Sequence, residues 1–196
     1  MRCISFSTLI ILLSGMMLTS WSISGTVELE PNDEVAQSIT SGESIVGGLS
    51  AGSDKDYYSI TTDSPGILTV SFQNDTRNTY GFQFFILDAD GNTFASEICD
   101  YSDCIDSAKT VSIGLAAAGT YFVYVRAESS YHKPSGTYTV TATFAAGTPS
   151  GVELEPNDEV AQTITSGESI VGGLSAGSDK DYYSITTDSP GILTVS

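Results

Sequence analysis

The chain is short of positive charge, of sulfur and of histidine. Seven lysines and arginines stand against 24 aspartates and glutamates, a formal net charge of −17 over 196 residues. Nucleic acid is not an expected partner on that balance, because phosphate binding depends on lysine and arginine displacing counterions. The one histidine, His132, sits in the loop SSYHKPSG with no catalytic signature beside it, so no hydrolytic triad is expected. Paired carboxylates are present, but at the N-terminal edge of what reads as a small domain, with no evident cleft for a glycoside. After the first two dozen residues no stretch is apolar and long enough to cross a bilayer.

What is there begins with MRCISFSTLIILLSGMML, one arginine ahead of a short, serine-rich apolar run. It has the form of a secretory signal, residues 1–24, with cleavage expected after Ser24; an uncleaved anchor is the alternative. Cys3 leaves with the signal and lies too early to be a lipoprotein cysteine. Cys99 and Cys104 remain, in CDYSDC. Two nearby thiols in an exported protein are expected to pair as a disulfide, whereas zinc or redox chemistry would need more ligands or a C-x-x-C spacing. Localisation is therefore expected to be secreted or at the cell surface.

Residues 152–196 repeat residues 27–71 at an offset of 125 residues, with Ser38 replaced by Thr163 as the one difference. So long a period is a domain duplication, not a solenoid repeat. The first copy is expected over 27–146, a Pro/Gly/Ser linker over 147–151, and an incomplete second copy over 152–196. A copy lacking the counterparts of residues 72–144 has no partner sheet and is not expected to fold stably alone. The natural protein is therefore expected to continue past Ser196, as a tandem array or into a catalytic domain.

Along the first copy, period-two stretches alternate with turn signals. Leu68, Val70 and Phe72 share one face, as do Tyr138, Val140, Ala142 and Phe144. Tyr80, Phe82, Phe84 and Ile86 alternate with Gly81, Gln83, Phe85 and Leu87, suggesting a strand covered on both sides. Tyr121, Val123 and Val125 line up, leaving Phe122, Tyr124 and Arg126 opposite; exposed, that second face would suit an extended polymer, and burial against another layer is the competing reading. DSPG, DADGN, AAAGT and KPSG punctuate the strands as turns. DADGN lacks the downstream glutamate of an EF-hand loop and reads as a hairpin. VAQSI alone suggests a helical turn. The fold class is all-β, an antiparallel sandwich with a barrel as alternative.

ELEPND (Glu28–Asp33) and DKDYY (Asp54–Tyr58) carry the chemistry. On extended chain Glu28 and Glu30 point one way, and so do Asp54 and Asp56. Pro31 turns the chain and lets Asn32 and Asp33 approach from another side. Glu28, Glu30, Asn32, Asp33, Asp54 and Asp56 together offer the hard oxygen ligands that calcium requires. Ordinary solvated surface is the competing reading. The second copy keeps the set as Glu153, Glu155, Asn157, Asp158, Asp179 and Asp181.

E-x-E-P-N-D, Gly48–Leu49 in GGLSAG, D-x-D-Y-Y, the Gly-Ile-Leu-Thr-Val strand, the D-x-D-G-N hairpin, A-G-T-Y-x-V-x-V and G-x-Y-x-V follow in that order. The series resembles the bacterial pre-peptidase C-terminal domain family, related to the collagen-binding domains of clostridial collagenases. The resemblance spans residues 27–144 and restarts at Val152. It implies a jelly-roll-like β-sandwich without a catalytic site, with calcium at the positions matching Glu28, Glu30, Asn32, Asp33, Asp54 and Asp56. Such domains commonly trail a secreted peptidase, whereas here the module follows the signal directly. The expected role is an accessory module that spaces or anchors a larger extracellular protein. The alternatives are a domain binding collagen, glycan or cell wall, and an appendage of a peptidase whose catalytic domain is not in this chain. Expected partners are an extracellular polymer or a cell-surface component.

Overall fold

The computed structural model describes residues 25–174 and 179–196; the expected signal, residues 1–24, lies outside them. Alternating apolar side chains bring the chain into two main sheets, with strands numbered in chain order. One sheet runs, in spatial order, β1 (Thr26–Val27), β3 (Ser44–Gly47), β10 (Tyr138–Ala146), β5 (Gly66–Asn74), β8 (Lys109–Leu115) and β11 (Leu154–Glu155). The other runs β2 (Gln37–Ser38), β4 (Lys55–Thr62), β9 (Gly119–Ala127), β6 (Asn78–Leu87) and β7 (Thr93–Tyr101). The long ladders are antiparallel, while the two-residue strands β1, β2 and β11 join the edges in parallel. The described residues contain no helix, and therefore none long and apolar enough to cross a membrane.

The core lies between the two layers. Leu68, Val70 and Phe72 of β5 face Phe82, Phe84 and Ile86 of β6 and Val123 and Val125 of β9, all fully buried. Phe72 anchors it, its ring 5.1 Å from those of Phe84 and Tyr138 and 5.7 Å from that of Phe82. Burying each such aromatic or branched side chain stabilises the fold by roughly 1.5–3 kcal/mol. Cys99 and Cys104 are bonded and fully buried, closing the end of β7 over this core. A disulfide fits an oxidising compartment.

Three sequence expectations change. VAQSI is no helical turn: Gln37–Ser38 is extended and pairs with Tyr58–Ser59 of β4. The hydrogen bonds available from a strand edge outweigh the local helical pattern. β6 is fully covered on its inner face and partly on its outer one, where Leu87 is buried and Phe85 is half-buried beside Tyr124 and Arg126 of its own sheet. Tyr80 lies 44% exposed because the β6–β7 register shifts between Asn78 and Phe82, taking it out of the alternation. DADGN does form a hairpin turn: the Asp88 carboxylate accepts from the amides of Asp90 and Asn92, and Gly91 takes φ 85°.

The second copy repeats the opening pairings of the first. β12 (Gln162–Thr163) pairs in parallel with β13 (Tyr183–Ser184), as Gln37–Ser38 pairs with Tyr58–Ser59, and Val152 bridges Val171, as Val27 pairs with Val46. Its counterpart of β5, residues 191–196, is not a strand, and Ile192, Leu193 and Val195 stand exposed. Without a facing layer these side chains have nothing to bury against.

Candidate metal centre

β4 carries the site because its alternation continues past the apolar core. Asp56, Tyr58 and Ile60 point inward, all buried, while Lys55, Tyr57 and Ser59 point outward. Asp56 is thus a carboxylate at the core-facing end of a strand, fully buried. The chain leaving β1 passes over this end and delivers Glu28 and Glu30. One carboxylate oxygen from each of Glu28, Glu30 and Asp56 lies within 4.8 Å of the others.

Hydrogen bonds fix these groups. Glu28 accepts from the Gly48 amide at 3.0 Å, from Asn32 Nδ2 at 2.9 Å and from the Tyr58 hydroxyl. The Tyr138 hydroxyl donates to Asp56 and lies 2.6 Å from that of Tyr58. Gly47 makes room for this pair, since a Cβ there would lie 2.7 Å from both tyrosine hydroxyl oxygens. The Asn32 amide donates to Glu30 at 3.1 Å. Asp33 and Asp54 fall outside the trio. Both accept from the Lys55 amide, at 3.1 and 3.0 Å, and Asp54 also accepts from the Ser50 amide.

Among the residues of this site, two buried oxygens have no partner: Asn32 Oδ1 and Asp56 Oδ1. Leaving such an atom unsatisfied costs about 1–3 kcal/mol, and more for a charge. The Asp56 carboxyl is pushed up to about 8 by burial; the Tyr138 hydrogen bond opposes this, and the charges of Glu28, Asp54 and Glu30 add to it. Glu30 is raised too, by desolvation first and by Glu28, Asp54 and Asp33 beyond the opposing Asn32 amide. Desolvation of Asp54 is outweighed by its amide donors from Ser50 and Lys55, so its carboxyl is lowered. Like charges forced together beside unpartnered oxygens are what a divalent cation relieves. An oxygen-only donor set of irregular shape suits calcium better than zinc or copper, which favour sulfur and nitrogen.

The second copy assembles the same arrangement from Glu153, Glu155 and Asp181. Glu153 accepts from Gly173, Asn157 and Tyr183, the positions equivalent to Gly48, Asn32 and Tyr58. Asp158 accepts from the Lys180 amide, as Asp33 does from Lys55, and Asp179 lies outside the trio as Asp54 does. Glu155 Oε1, Asn157 Oδ1 and Asp181 Oδ1 are buried without partners. Glu155 is pushed up to about 7 by burial and then by Glu153, and Asp181 to about 6 by desolvation and then by Glu153.

Phe122, Tyr124 and Arg126 lie on the outer face of the β4–β9–β6 sheet. Tyr124 stacks on Tyr57 at 4.6 Å and on Phe85 at 5.2 Å, and the Arg126 guanidinium sits 5.0 Å over the Phe85 ring while donating to Gln83. Phe122 lines a shallow groove with Tyr57, Asp33 and the Asp88–Gly91 turn. Among the described residues no second layer covers this face, which leaves Phe122 and Tyr124 half-buried and Arg126 exposed. His132 stacks on Tyr80 at 4.3 Å and lies 3.3 Å from Ser129 Oγ through Nδ1.

Sequence reasoning missed Tyr58, Tyr138 and Gly47. Tyr58 was within reach, two residues past Asp56 on the same strand face. Tyr138 comes from a strand 80 residues further on and carried no such signal.

Fold and site define an all-β sandwich domain whose acidic groups, one in each copy, could hold a metal ion. No family model matches the chain, and no curated protein sequence matches it. Among solved structures it is similar to the pre-peptidase C-terminal domain of collagenase from Bacillus anthracis, at 21% identity and TM-score 0.44, over 55% of this chain and 94% of that one. It is similar to Aeromonas hydrophila PliG, a periplasmic inhibitor of g-type lysozyme, at 11% identity and TM-score 0.43, over 56% and 97%. A third is the CBM35 from Cellvibrio japonicus Abf62, at 14% identity and TM-score 0.34, over 50% and 74%.

Proposed function

We propose that the chain is a secreted, non-catalytic accessory module of the pre-peptidase C-terminal type, used in tandem and stiffened by calcium, which spaces or anchors a larger extracellular protein. The observation that carries this reading is the pair of buried, unpartnered oxygens, Asn32 Oδ1 and Asp56 Oδ1, beside the Glu28–Glu30–Asp56 trio. Glu28, Glu30, Asp56 and Asn32 hold the ion, and Tyr58 and Tyr138 orient the carboxylates from behind. Asp33 and Asp54 brace the Lys55 and Ser50 amides and so hold β4 in place. The second copy holds an ion through Glu153, Glu155, Asn157 and Asp181. A ligand bound by the native state alone stabilises it by about 2.7 kcal/mol at a hundredfold excess over Kd. Thermal unfolding with calcium and with chelator tests the reading: a rise of roughly 10 °C with calcium is expected, and identical melts would overturn it.

A second reading is favoured by the outer aromatic face. Tyr57, Tyr124, Phe85 and Arg126 form a half-exposed stacked row beside a groove, a surface suited to a glycan, collagen or another extended polymer. Retention on insoluble polymers, lost in Tyr124→Ala, supports it; no retention by the unaltered protein removes it.

A further inference from the structure

The second copy is attached to the first through its own acidic segment. Leu154 pairs with Gly114 and Glu155 with Leu115 along the edge of β8, and the Gly114 amide donates to the Glu153 carbonyl at 2.6 Å. Glycine at 114 permits this approach. A Cβ there would lie 2.8 Å from the Glu153 carbonyl oxygen, 3.0 Å from Pro149 Cβ and 3.3 Å from Leu154 Cδ1. Its three nearest neighbours thus all belong to the linker and the second copy, which is the usual reason for glycine inside a strand.

Identical sequence behaves differently in the two copies. Leu29 is 69% exposed and Glu30 is exposed, and neither belongs to a strand, whereas Leu154 is half-buried and Glu155 is 4% exposed. The difference is the β8 edge, an open row of backbone donors and acceptors that the second segment covers.

We infer that successive copies are joined by strand addition of the acidic segment of one onto the β8 edge of the copy before it, and that a divalent cation held by Glu153, Glu155 and Asp181 sets this junction. The inference rests on the cation reading above. Glu153 and Glu155 flank Leu154, so the backbone that pairs with β8 is the backbone that presents the ligands. Three carboxylates within 4.8 Å repel one another when ionised, and a divalent ion bound among them replaces that repulsion with attraction. The buried, unpartnered Glu155 Oε1 and Asn157 Oδ1 mark where the ion is held. Occupancy then converts a flexible tether into a fixed angle between copies.

The test uses the full chain, with calcium titration calorimetry to count ions and residue-resolved hydrogen exchange of the amide at position 114. Two bound ions are expected, with exchange at position 114 at least tenfold slower in calcium than in chelator. Glu155→Gln should bind one ion and lose that calcium dependence. Gly114→Ala should keep the first-copy ion and exchange fast at position 114 in both conditions. Equal exchange at position 114 with and without calcium, while two ions bind, overturns the cation-set junction and leaves the cation reading standing. No heat of binding overturns both.

Discussion

At the scale of single residues, the site turns on buried groups that share protons and charge. The Tyr138 hydroxyl holds Asp56 and meets that of Tyr58, which holds Glu28. Tyr138→Phe removes a donor and leaves a buried carboxylate oxygen bare. Denaturant unfolding should show a loss of about 1–3 kcal/mol in chelator. The raised Asp56 carboxyl also sets a pH dependence. Its folded value near 8 lies above the ordinary 3.8, so the cation-free folded state binds the proton more tightly than the unfolded chain. That stabilisation is full below the ordinary value and is lost as pH rises through about 8. In chelator the protein should therefore melt lower at about pH 8.5 than at about pH 5.5, and calcium should remove the difference; a melt that rises with pH in chelator would contradict this. Period-two reading placed Asp54 and Asp56 on one face, and both are buried. It could not separate Asp56, which joins the acidic trio, from Asp54, which accepts from backbone amides. Asp56 points at the core end of β4 and Asp54 at backbone amides, a division set by how the chain arrives from residues 28–33.

At the scale of strands, most of the sandwich was legible. Leu68, Val70 and Phe72, then Tyr121, Val123 and Val125, are inward as their alternation implied. What failed was local pattern against tertiary pairing: Gln37–Ser38 took an open edge, and the shifted register of β6 put Tyr80 outside. Gly81 sits at that shift, where a Cβ would lie 1.8 Å from the Cys99 carbonyl oxygen. Gly81→Ala should cost about 3 kcal/mol in denaturant unfolding, because the backbone of β7 must move. Reducing the Cys99–Cys104 bond opens a short loop beside the same strands. It should lower stability by about 2 kcal/mol on the chain-entropy model, read as a lower melting temperature in reductant.

At the scale of the whole molecule, the repeat of residues 27–71 at 152–196 and the missing facing layer were read from the sequence; the re-formed acidic group and its attachment to β8 were not. Residues 152–196 leave Ile192 and Val195 exposed, yet they form the acidic group again, because Glu153 accepts from Asn157, Gly173 and Tyr183 within the same stretch. Its attachment to β8 depends on Gly114, which no alternation pattern singles out. A chain ending at Gly147 should bind one calcium ion where the full chain binds two, by calorimetric stoichiometry. The most direct measurement is the anomalous diffraction of crystals grown in calcium. An ion at about 2.3–2.6 Å from Glu28, Glu30, Asp56 and Asn32 Oδ1 is the expected result. Saturating calcium with no ion among these four groups, and with Asn32 Oδ1 and Asp56 Oδ1 bonded to water instead, would contradict it.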